Sequence, residues 1–560
     1  MANQPLDSGR IPQPATRLWQ VLGLGCILFA LGLGAILFLR ESPQNGNAQT
    51  LTLPGDEKKD EEPPSPLFRN WDKPDLAIAV TGQMHGYLQP CGCSRPQFGG
   101  LSRRYNFLQS LRDKGWPVVA VDLGDISPRP GPQALLKYET AMTALGLMKY
   151  SAMGLGKNEF SFPQGVIDAL AVPLNNKQAP RILAANLKEE EVLPWKVVKE
   201  GKLSIGVAGV IGPNLIKEVE KFPNVKFNAN AGKQVLLDLA KNKPDLVMIL
   251  YQGTGGEAKK CAEICAKLHK DDAKYPKVDV MLCLDNTEEP SGKTNKVGDT
   301  LLIAIGHKGR YVGVLGAFQA KANGPFELKY QLVSIGEEWE TPKGKEKDNP
   351  VMVLMEEYAK KVKDQKVKGR NYIELFPRSK HPVQLSSPNA KYIGSKACGE
   401  CHPHAFKIWE DKGGKRLAHS RAFKSLEEAD RPSLRQFDGE CVSCHVVGFQ
   451  HNTGYADPAN NQKVNLKLLN VGCESCHGPG SDHANNPNNV KLHEVMNPFK
   501  AKPNEGPAAK QLRINQLDHF CQKCHDTDND VTWGKVPFEA KWKIIAHPTP
   551  KPGQQAAGKQ

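Results

Sequence analysis

Four short segments of the chain place two cysteines and a histidine in one fixed register, Cys-x-x-Cys-His. In that register two thiols can add to the two vinyl groups of a porphyrin, and the next imidazole can hold the iron as an axial ligand. Zinc sites also use Cys-x-x-Cys pairs, but zinc does not require a histidine directly after each second cysteine. The sequence therefore predicts four covalently bound haem c groups, on the first to fourth motifs: Cys398, Cys401 and His402; Cys441, Cys444 and His445; Cys473, Cys476 and His477; Cys521, Cys524 and His525.

Histidines are concentrated in the same part of the chain. Eleven of the 15 lie between His402 and His547, and four of these belong to the motifs. The others are candidates for the opposite axial face of each iron, because neutral imidazole is a common metal ligand. They are His404, His419, His451, His483, His493, His519 and His547. We expect two-histidine ligation for most of the haems.

An uncharged apolar run of 22 residues lies near the N-terminus, at residues 18–39. As an α-helix it would span roughly 33 Å, enough to cross a bilayer. We expect a single-pass membrane anchor, with a cleaved signal peptide as the alternative, although the run exceeds the usual apolar core of about 7 to 15 residues. Because haem is attached outside the cytoplasmic membrane, the main part of the chain is expected in the periplasm or an equivalent compartment.

The chain is basic, with 74 Lys and Arg against 60 Asp and Glu and a formal net charge of +14. These basic residues are spread along the sequence, and no nucleic-acid-binding motif accompanies them. Nucleic acid is therefore not an expected partner. The charge indicates a solvated surface with some attraction for acidic redox proteins or a membrane surface.

Composition divides the 560 residues into segments. The stretch after the apolar run is rich in Pro, Gly, Asn and acidic residues, which is typical of a disordered linker. Strand-like runs such as DLAIAV and VVAVDLGD then alternate with helical runs, which indicates a layered α/β domain. The predicted order is a cytoplasmic N-terminus (1–17), anchor (18–39), linker (40–73), α/β domain (74–338), charged helical connector (339–390), multihaem cytochrome c domain (391–548) and tail (549–560).

The segments YIGSKACGECH, LAHSRAF, CVSCHVVGF, NVGCESCHGPGSDH and CQKCH, in that order, resemble the tetrahaem cytochrome c-554 family over residues 392–547. That family has a mostly helical, loop-rich fold and passes electrons in the periplasm. The resemblance implies distal haem ligands at His419, His483 and His547. It also implies an open haem on the second motif, unless His404 or His451, which depart from the family pattern, fills the sixth position. His493 and His519 stay unassigned.

Residues 75–336 resemble metallophosphoesterases of the periplasmic 5'-nucleotidase type, through VTGQMHGYLQPCGC, GGLSRRYNFLQSLR, VVAVDLGDI and GLGKNEF. That family activates water between two metal ions held by Asp, His and Asn. The resemblance keeps His85 and either Asp122 or Asp125 as ligands. The remaining ligand positions carry Gln83, Lys157, Asn158, Tyr251 and residues 283–287. Two ligands cannot hold two divalent cations, and an ammonium group repels them, so the domain is expected to be a non-hydrolytic relic.

Five further cysteines lie in the α/β domain, namely Cys91, Cys93, Cys261, Cys265 and Cys283. In an oxidising compartment such cysteines are expected to form one or two disulfides and leave a spare thiol. The alternative is a metal site that uses Cys91, Cys93 and Cys283 together with His85.

Three functions follow from these patterns. The first is a membrane-anchored electron carrier between periplasmic or membrane redox proteins, with the α/β domain as a docking platform. The second is an enzyme: a haem oxidoreductase that acts on a small nitrogen or sulfur species at an open haem, or a phosphoesterase that has kept its activity. The third is a structural role for the α/β domain within a larger respiratory assembly.

Overall fold

The structure is a computed structural model. In it, the apolar runs of the N-terminal region form two six-stranded sheets. In chain order the strands are β1 (Leu76–Thr81), β2 (Val118–Asp122), β3 (Tyr150–Met153), β4 (Arg181–Ile182), β5 (Trp195–Glu200), β6 (Leu203–Ile211), β7 (Leu246–Thr254), β8 (Val280–Leu284), β9 (Asn295–Val297), β10 (Thr300–Ile303), β11 (Tyr311–Gln319) and β12 (Phe326–Ser334). The strand orders are β12-β11-β1-β2-β3-β4 and β5-β6-β7-β8-β10-β9.

The structure describes residues 67–90, 94–222, 225–228, 230–321, 324–410, 419–429, 432–456, 465–497 and 499–547. The predicted cytoplasmic segment, anchor and tail, most of the linker, and Cys91 and Cys93 lie outside these residues. Within the described ranges, no helix is long and apolar enough to cross a membrane.

Apolar side chains point to both sides of the strands, so that both faces of each sheet are buried. On β1, Ile78 and Val80 pack against the second sheet, whereas Ala77 and Ala79 pack against helices on the other face. Successive side chains of a strand point to opposite faces, so the apolar run of β1 fills two cores at once. The layers follow the order helix, sheet, sheet, helix, which confirms the predicted layered α/β domain.

Seven helices cover the outer faces of the sheets. They are α1 (Leu101–Asp113), α2 (Ala134–Leu147), α3 (Val166–Asn175), α4 (Pro213–Val219), α5 (Ala231–Lys241), α6 (Gly255–Asp271) and α7 (Pro350–Asp364). Helix α7 comes from the segment predicted as a charged connector. Its Val351, Met355, Tyr358 and Val362 side chains are buried in the core outside the first sheet. The connector helix therefore packs as part of the α/β core.

Parallel pairing gathers the loops that carry the polar residues. Strands β1 to β4 run parallel to one another, and so do β6, β7, β8 and β10. The carboxyl ends of parallel strands meet at one edge of a sheet, where ligands of α/β proteins bind. The loops after β1, β2, β3, β8 and β10 form a cleft at this edge, which is called the strand-end cleft below.

After a small hairpin of β13 (Lys366–Val367) and β14 (Arg370–Asn371), the described part of the C-terminal region forms α-helices joined by loops, and ten of these helices have defined bounds. The helices are α8 (Pro382–Ser386), α9 (Ser395–Cys401), α10 (Pro403–Glu410), α11 (Lys424–Glu427), α12 (Gly439–His445), α13 (Cys473–His477), α14 (Ser481–Asn485), α15 (Val490–Met496), α16 (Pro507–Cys521) and α17 (Phe538–Ile545). This agrees with the predicted helical, loop-rich haem domain.

We expect Asn349→Ala to lower the free energy of unfolding by about 2 kcal/mol, because a buried cap and its partners are lost together. The Asn349 side-chain oxygen accepts hydrogen bonds from the Val351 and Met352 amides at the start of α7. Its amide group donates to Ser102 O and Thr341 Oγ1, each at 2.9 Å. Denaturant unfolding curves measure the change.

The matched control for this prediction is Asn230→Ala. Asn230 also precedes a helix, α5, but its side chain makes no capping hydrogen bond. Removal of the Asn230 side chain is expected to change the unfolding midpoint little. An equal decrease in the free energy of unfolding in both variants would contradict the capping role of Asn349.

Candidate functional site

Three of the four motif histidines face a second histidine across the helical region. In each pair the ring centroids lie 5.9–6.0 Å apart: His402 with His483, His419 with His525, and His477 with His547. Every pair joins a motif histidine to one of the three histidines predicted as distal ligands. The structure therefore brings these six residues together as the sequence predicted.

The separation of the rings matches two imidazoles that share one metal ion. A ring nitrogen binds a metal at about 2.0 Å and lies about 1.1 Å from its ring centre, so two rings on opposite sides of one ion are about 6.2 Å apart. Each of the three pairs leaves this space. The residues present thus fit an iron between the two rings.

The helices orient the cysteines of the motifs toward one side. In α12 and α13 the motif makes up most of the helix, and the two cysteines occupy positions i and i+3. Residues three apart lie on the same face of a helix. Both thiols can therefore reach the same edge of one porphyrin, while the following histidine stands at the helix end.

The second motif differs from the other three. Among the described residues, no histidine ring faces His445, whose Nδ1 atom lies 2.5 Å from Ala422 O. His451 packs against His381 instead, with ring centroids 5.0 Å apart, and His404 is exposed. Neither of the two histidines that could have filled the sixth position lies opposite His445.

The two unassigned histidines also lie away from the facing positions. His493 contacts the ring of His483, with centroids 5.1 Å apart, and its Nε2 atom lies 2.6 Å from Pro487 O. His519 is exposed on α16. Neither ring stands opposite a motif histidine.

Burial favours the neutral form of four imidazoles in this region. It lowers the pKa of His419 to about 4, and it also lowers the pKa values of His445, His477 and His483. A metal binds imidazole through an unprotonated nitrogen. These histidines are therefore in the protonation state that iron ligation needs.

The cysteines show which motifs are neighbours. The Cys473 amide donates to Ser395 Oγ of α9, the helix of the first motif, at 3.1 Å, and the nearby Cys398 thiol lowers the pKa of Cys473 to about 7. The Cys444 thiol lies 3.9 Å from Lys523 O in the fourth motif, and the nearby Cys524 thiol lowers the pKa of Cys444 to about 7. The first motif thus adjoins the third, and the second adjoins the fourth.

One more contact joins these two pairs of motifs. The segment that faces His477 through Met496 O continues to Phe499, whose ring centroid lies 5.3 Å from that of Phe520, next to Cys521, so the third and fourth motifs are also close. The spatial order is therefore first, third, fourth, second.

Apolar side chains around the motifs support the presence of a large apolar group. Leu466, Val490, Leu512 and Ile544 are 57–68% exposed, and the 15-residue helix α16 buries only Leu517. In the described part of the helical region, the one buried apolar cluster lies around the second motif. Porphyrins would cover these side chains and supply the buried surface that the polypeptide does not.

The strand-end cleft of the α/β domain holds some of the predicted phosphoesterase ligands. His85 Nδ1 lies 3.5 Å from Asp125 Oδ2, whereas Asp122 is fully buried beneath them and accepts a hydrogen bond from Thr81. Asp125 is thus the retained carboxylate beside His85. The pKa of His85 is lowered by burial, despite the charge of Asp125.

The substituted ligand positions have structural roles. Gln83 donates to Asn286 at 3.1 Å and accepts from the Asp285 amide at 2.8 Å, which ties the loops after β1 and β8 together. Lys157 is exposed and pairs with Glu218. Asn158 donates to Ser127 O at 2.9 Å. Gln83 and Asn158 thus tie loops of the strand-end cleft together, whereas Lys157 pairs at the surface.

Tyr251 lies outside the cleft. Its side chain is buried on the α6 side of the second sheet, in the same cluster as Cys283. The predicted position of a metal ligand is therefore occupied by a core residue.

The strand-end cleft contains one histidine that was not predicted from the sequence as a site residue. His307, after β10, has its ring centroid 6.1 Å from that of His85, and its Nε2 atom lies 3.7 Å from Glu288. The signal for it was the IGHKG turn at the end of a short apolar strand. Even with His307, no group of three or more His, Cys, Asp or Glu in the described ranges is arranged to hold a metal ion.

The described cysteines of the α/β domain are free thiols: Cys261, Cys265 and Cys283. The expected disulfides are therefore not formed among these three. The Cys283 thiol lies 3.6 Å from Ile303 O and is buried against α6, not in the cleft with His85. This placement argues against the alternative thiolate site, as far as its described members go.

The cleft and the helical region meet at the loop after the fourth motif. Asp528 accepts hydrogen bonds from Tyr87 Oη at 2.8 Å and Lys308 Nζ at 2.9 Å, and it pairs with Arg310. Ser94 Oγ donates to Asn529 O at 3.2 Å. The rim of the cleft thus binds the chain segment that follows His525.

A second contact lies beside the second motif. Gln133 donates to Asp438 at 3.1 Å, and Lys137 pairs with Glu440. Asp438 also caps α12, the helix of Cys441 and Cys444. The α/β domain therefore contacts the second and fourth motifs.

Comparison with known proteins supports both resemblances. Residues 397–478, which include the first three motifs, match the family described as cytochrome c554 and c-prime. The chain is 27% identical over 168 residues to cytochrome c-554 of Nitrosomonas europaea, a match that covers 28% of this chain and 67% of that protein. The predicted resemblance of the C-terminal region to this family is confirmed, and it implies covalently bound haem c.

The N-terminal region is similar to 5'-nucleotidases. It is 29% identical over 163 residues to the enzyme of Rattus norvegicus, across 26% of this chain and 27% of that protein. A solved 5'-nucleotidase precursor from Thermus thermophilus has 18% identity and a TM-score of 0.43, and the match covers 52% of this chain and 60% of that chain. The predicted resemblance is confirmed, and this chain spans about a quarter of the curated nucleotidase.

We expect the contact at Asp528 to weaken in acid. Burial raises its pKa, but hydrogen bonds from Lys308 and Tyr87 hold it below the ordinary value of 3.8. A carboxylate with a lowered pKa stabilises the folded form above pH 3.8, and this stabilisation is lost as the pH falls through its lower folded value. Hydrogen exchange of the amides after His525 measures the effect.

The comparison variant is Asp528→Asn, which should exchange faster than the wild type at neutral pH. That difference should shrink as the pH falls below 3.8. Asp238→Asn is the control, because Asp238 pairs with Lys241 on exposed α5 and should leave these amides unchanged. A difference between wild type and Asp528→Asn that is independent of pH would contradict the role given to the ionised carboxylate.

Proposed function

We propose that this protein is a membrane-anchored, periplasmic tetrahaem cytochrome that transfers electrons between redox proteins. One observation carries the proposal: three motif histidines face predicted distal histidines at the separation that an iron requires. The number of four haems rests on the four motifs. The membrane location rests on the apolar run at residues 18–39 and on the site of haem attachment.

Bound haem supplies an iron that cycles between its ferric and ferrous states. The residues of this chain would fix where each iron stands: the cysteines would anchor each porphyrin, and the three facing pairs of imidazoles would hold three of the four irons. The order of neighbouring motifs gives a route from the first through the third and fourth to the second. Electrons are proposed to move along this order.

The two ends of the route have different surroundings. Within the described ranges, no hydrogen bond or ion pair joins the residues of the first motif to the α/β domain, which leaves this end for a redox partner in solution or at the membrane. The second motif lies against the α/β domain through Asp438 and Glu440. We infer that partners dock at the first motif and that the α/β domain shields the other end.

The α/β domain is proposed to have no phosphoesterase activity. Its cleft keeps His85 and Asp125, but Gln83 and Asn158 are used for contacts between loops, and Lys157 pairs at the surface. Its role in this proposal is to hold the segments around the second and fourth motifs in place.

We expect the purified chain to carry four haems. Alkaline pyridine spectra with iron analysis should give four irons per polypeptide, and haem staining should survive a denaturing gel, since thioether bonds resist denaturation. Cys473→Ser together with Cys476→Ser should remove one haem, whereas Cys261→Ser, outside the motifs, should remove none. A colourless protein, or one that contains zinc and no iron, would refute the proposal.

A second candidate function is haem chemistry on a small nitrogen or sulfur species. The observation that favours it is the second motif, where no histidine in the described ranges faces His445. An iron with an open position can bind a small molecule, whereas an iron between two imidazoles cannot.

Carbon monoxide tests this candidate. The reduced wild-type protein is expected to bind one equivalent, at the haem of the second motif. His419→Ala should bind a second equivalent, because it removes the ring that faces His525. No spectral change in the wild type, with binding in His419→Ala, would leave electron transfer as the sole function.

A further inference from the structure

The motif histidines differ in what faces their Nδ1 atoms. The Nδ1 atom of His445 lies 2.5 Å from Ala422 O, and that of His477 lies 2.8 Å from Met496 O. The Nδ1 atom of His525 instead lies 3.4 Å from Oδ2 of Asp530. A carbonyl and a carboxylate both accept from an imidazole N–H, but only the carboxylate brings a full negative charge.

The orientation of the His525 ring is fixed from a second side. Trp533 stacks on it, with ring centroids 5.0 Å apart and an angle of 24° between the planes. The indole N–H of Trp533 donates to Asp518 at 2.9 Å, which holds the indole in place. With Nδ1 toward Asp530, the Nε2 atom of His525 is left for the iron between it and His419.

Asp530 is itself held by donors. Lys541 Nζ lies 2.8 Å from its Oδ2 atom, and the hydroxyl and amide of Thr532 donate to Oδ1 at 2.6 and 3.0 Å. The ammonium group of Lys541 offsets part of the negative charge that His525 experiences. Asp530 and Lys541 therefore act in opposite directions on the same imidazole.

We propose that Asp530 is a positioning residue that lowers the reduction potential of the haem on the fourth motif, and that Lys541 limits this effect. The inference rests on the proposed function. An ionised carboxylate 3.4 Å from Nδ1 stabilises the positive charge that a ferric iron shares with its imidazole ligand, which favours the ferric form. Reduction adds one electron to that iron and needs no proton transfer, since Asp530 stays ionised and paired with Lys541.

The position of this haem gives the effect a consequence for electron transfer. The fourth motif lies between the third and the second in the route, and its following loop binds the cleft through Asp528. A lower potential there would make it harder for an electron to pass from the haem of the third motif to that of the fourth. Asp530 would thus set how readily an electron passes to the haem of the second motif.

The experiment is a spectroelectrochemical titration of the full haem-loaded chain, fitted to four one-electron steps. Asp530→Asn is expected to raise one of the four midpoint potentials, and Lys541→Gln to lower that same potential. Glu428→Gln is the matched control: Glu428 also pairs with a lysine, Lys424, at 3.2 Å, but this exposed pair touches no motif histidine. It should leave all four potentials unchanged.

Each other outcome overturns the inference. If all four haems are attached and no potential moves in Asp530→Asn or Lys541→Gln, Asp530 does not tune the fourth haem. If all four potentials move together, or if Glu428→Gln produces the same shift, the effect is one of net charge. Should Asp530→Asn fail to fold, Lys541→Gln carries the test alone. A wild-type chain that binds no haem would refute the proposed function instead, and haem content is measured before each titration.

Discussion

The separation of about 6 Å between facing imidazoles is the constraint on which the helical region depends. It leaves room for an iron, and it leaves the rings without direct contact. The short helices around them bury little apolar surface of their own, as the exposed Leu466 and Val490 show. With haem bound, cofactor and polypeptide would share one core in this region, in contrast to the α/β domain, where two sheets and their helices bury each other.

The two domains use apolar surface in different ways, yet they are joined by polar contacts. Asp528 and Asp438 each bind side chains of the α/β domain while they lie next to a motif. Charged and amide groups fix geometry through direction and distance, which apolar packing does less strictly. The cleft that has lost most phosphoesterase ligands has kept a polar rim, and that rim now binds a neighbouring domain.

Much of the site could be predicted from sequence because its chemistry is local. The Cys-x-x-Cys-His spacing identifies the candidate haem-binding cysteines and histidines directly. The family resemblance implied the distal positions His419, His483 and His547, which face three of the motif histidines. Spatial order could not be predicted, because it depends on long-range contacts such as that of the Cys473 amide with Ser395. His307 and Asp530 were missed for the same reason, since each gains its role from a partner brought close by folding.

The fold of the α/β domain was predictable in type but less so in extent. Alternating apolar strands indicated buried sheets. The many charged residues of α7, in contrast, suggested a solvent-exposed connector, although the face of α7 that carries Val351 and Met355 is buried in the core. Likewise, the cysteine count suggested disulfides, while the strand register turns Cys283 toward a helix. A one-dimensional pattern records composition and period, and it does not record which neighbour a residue meets.

The pairing of His477 with His547 links a helix in the middle of the region to a residue beyond its final helix. During synthesis, about seventy positions must be added after the third porphyrin attachment point before its opposing imidazole exists. In the proposed tetrahaem protein, that centre would be completed only when the segment after the final helix folds back, and cleavage between α17 and His547 would open one iron while leaving every thioether bond intact.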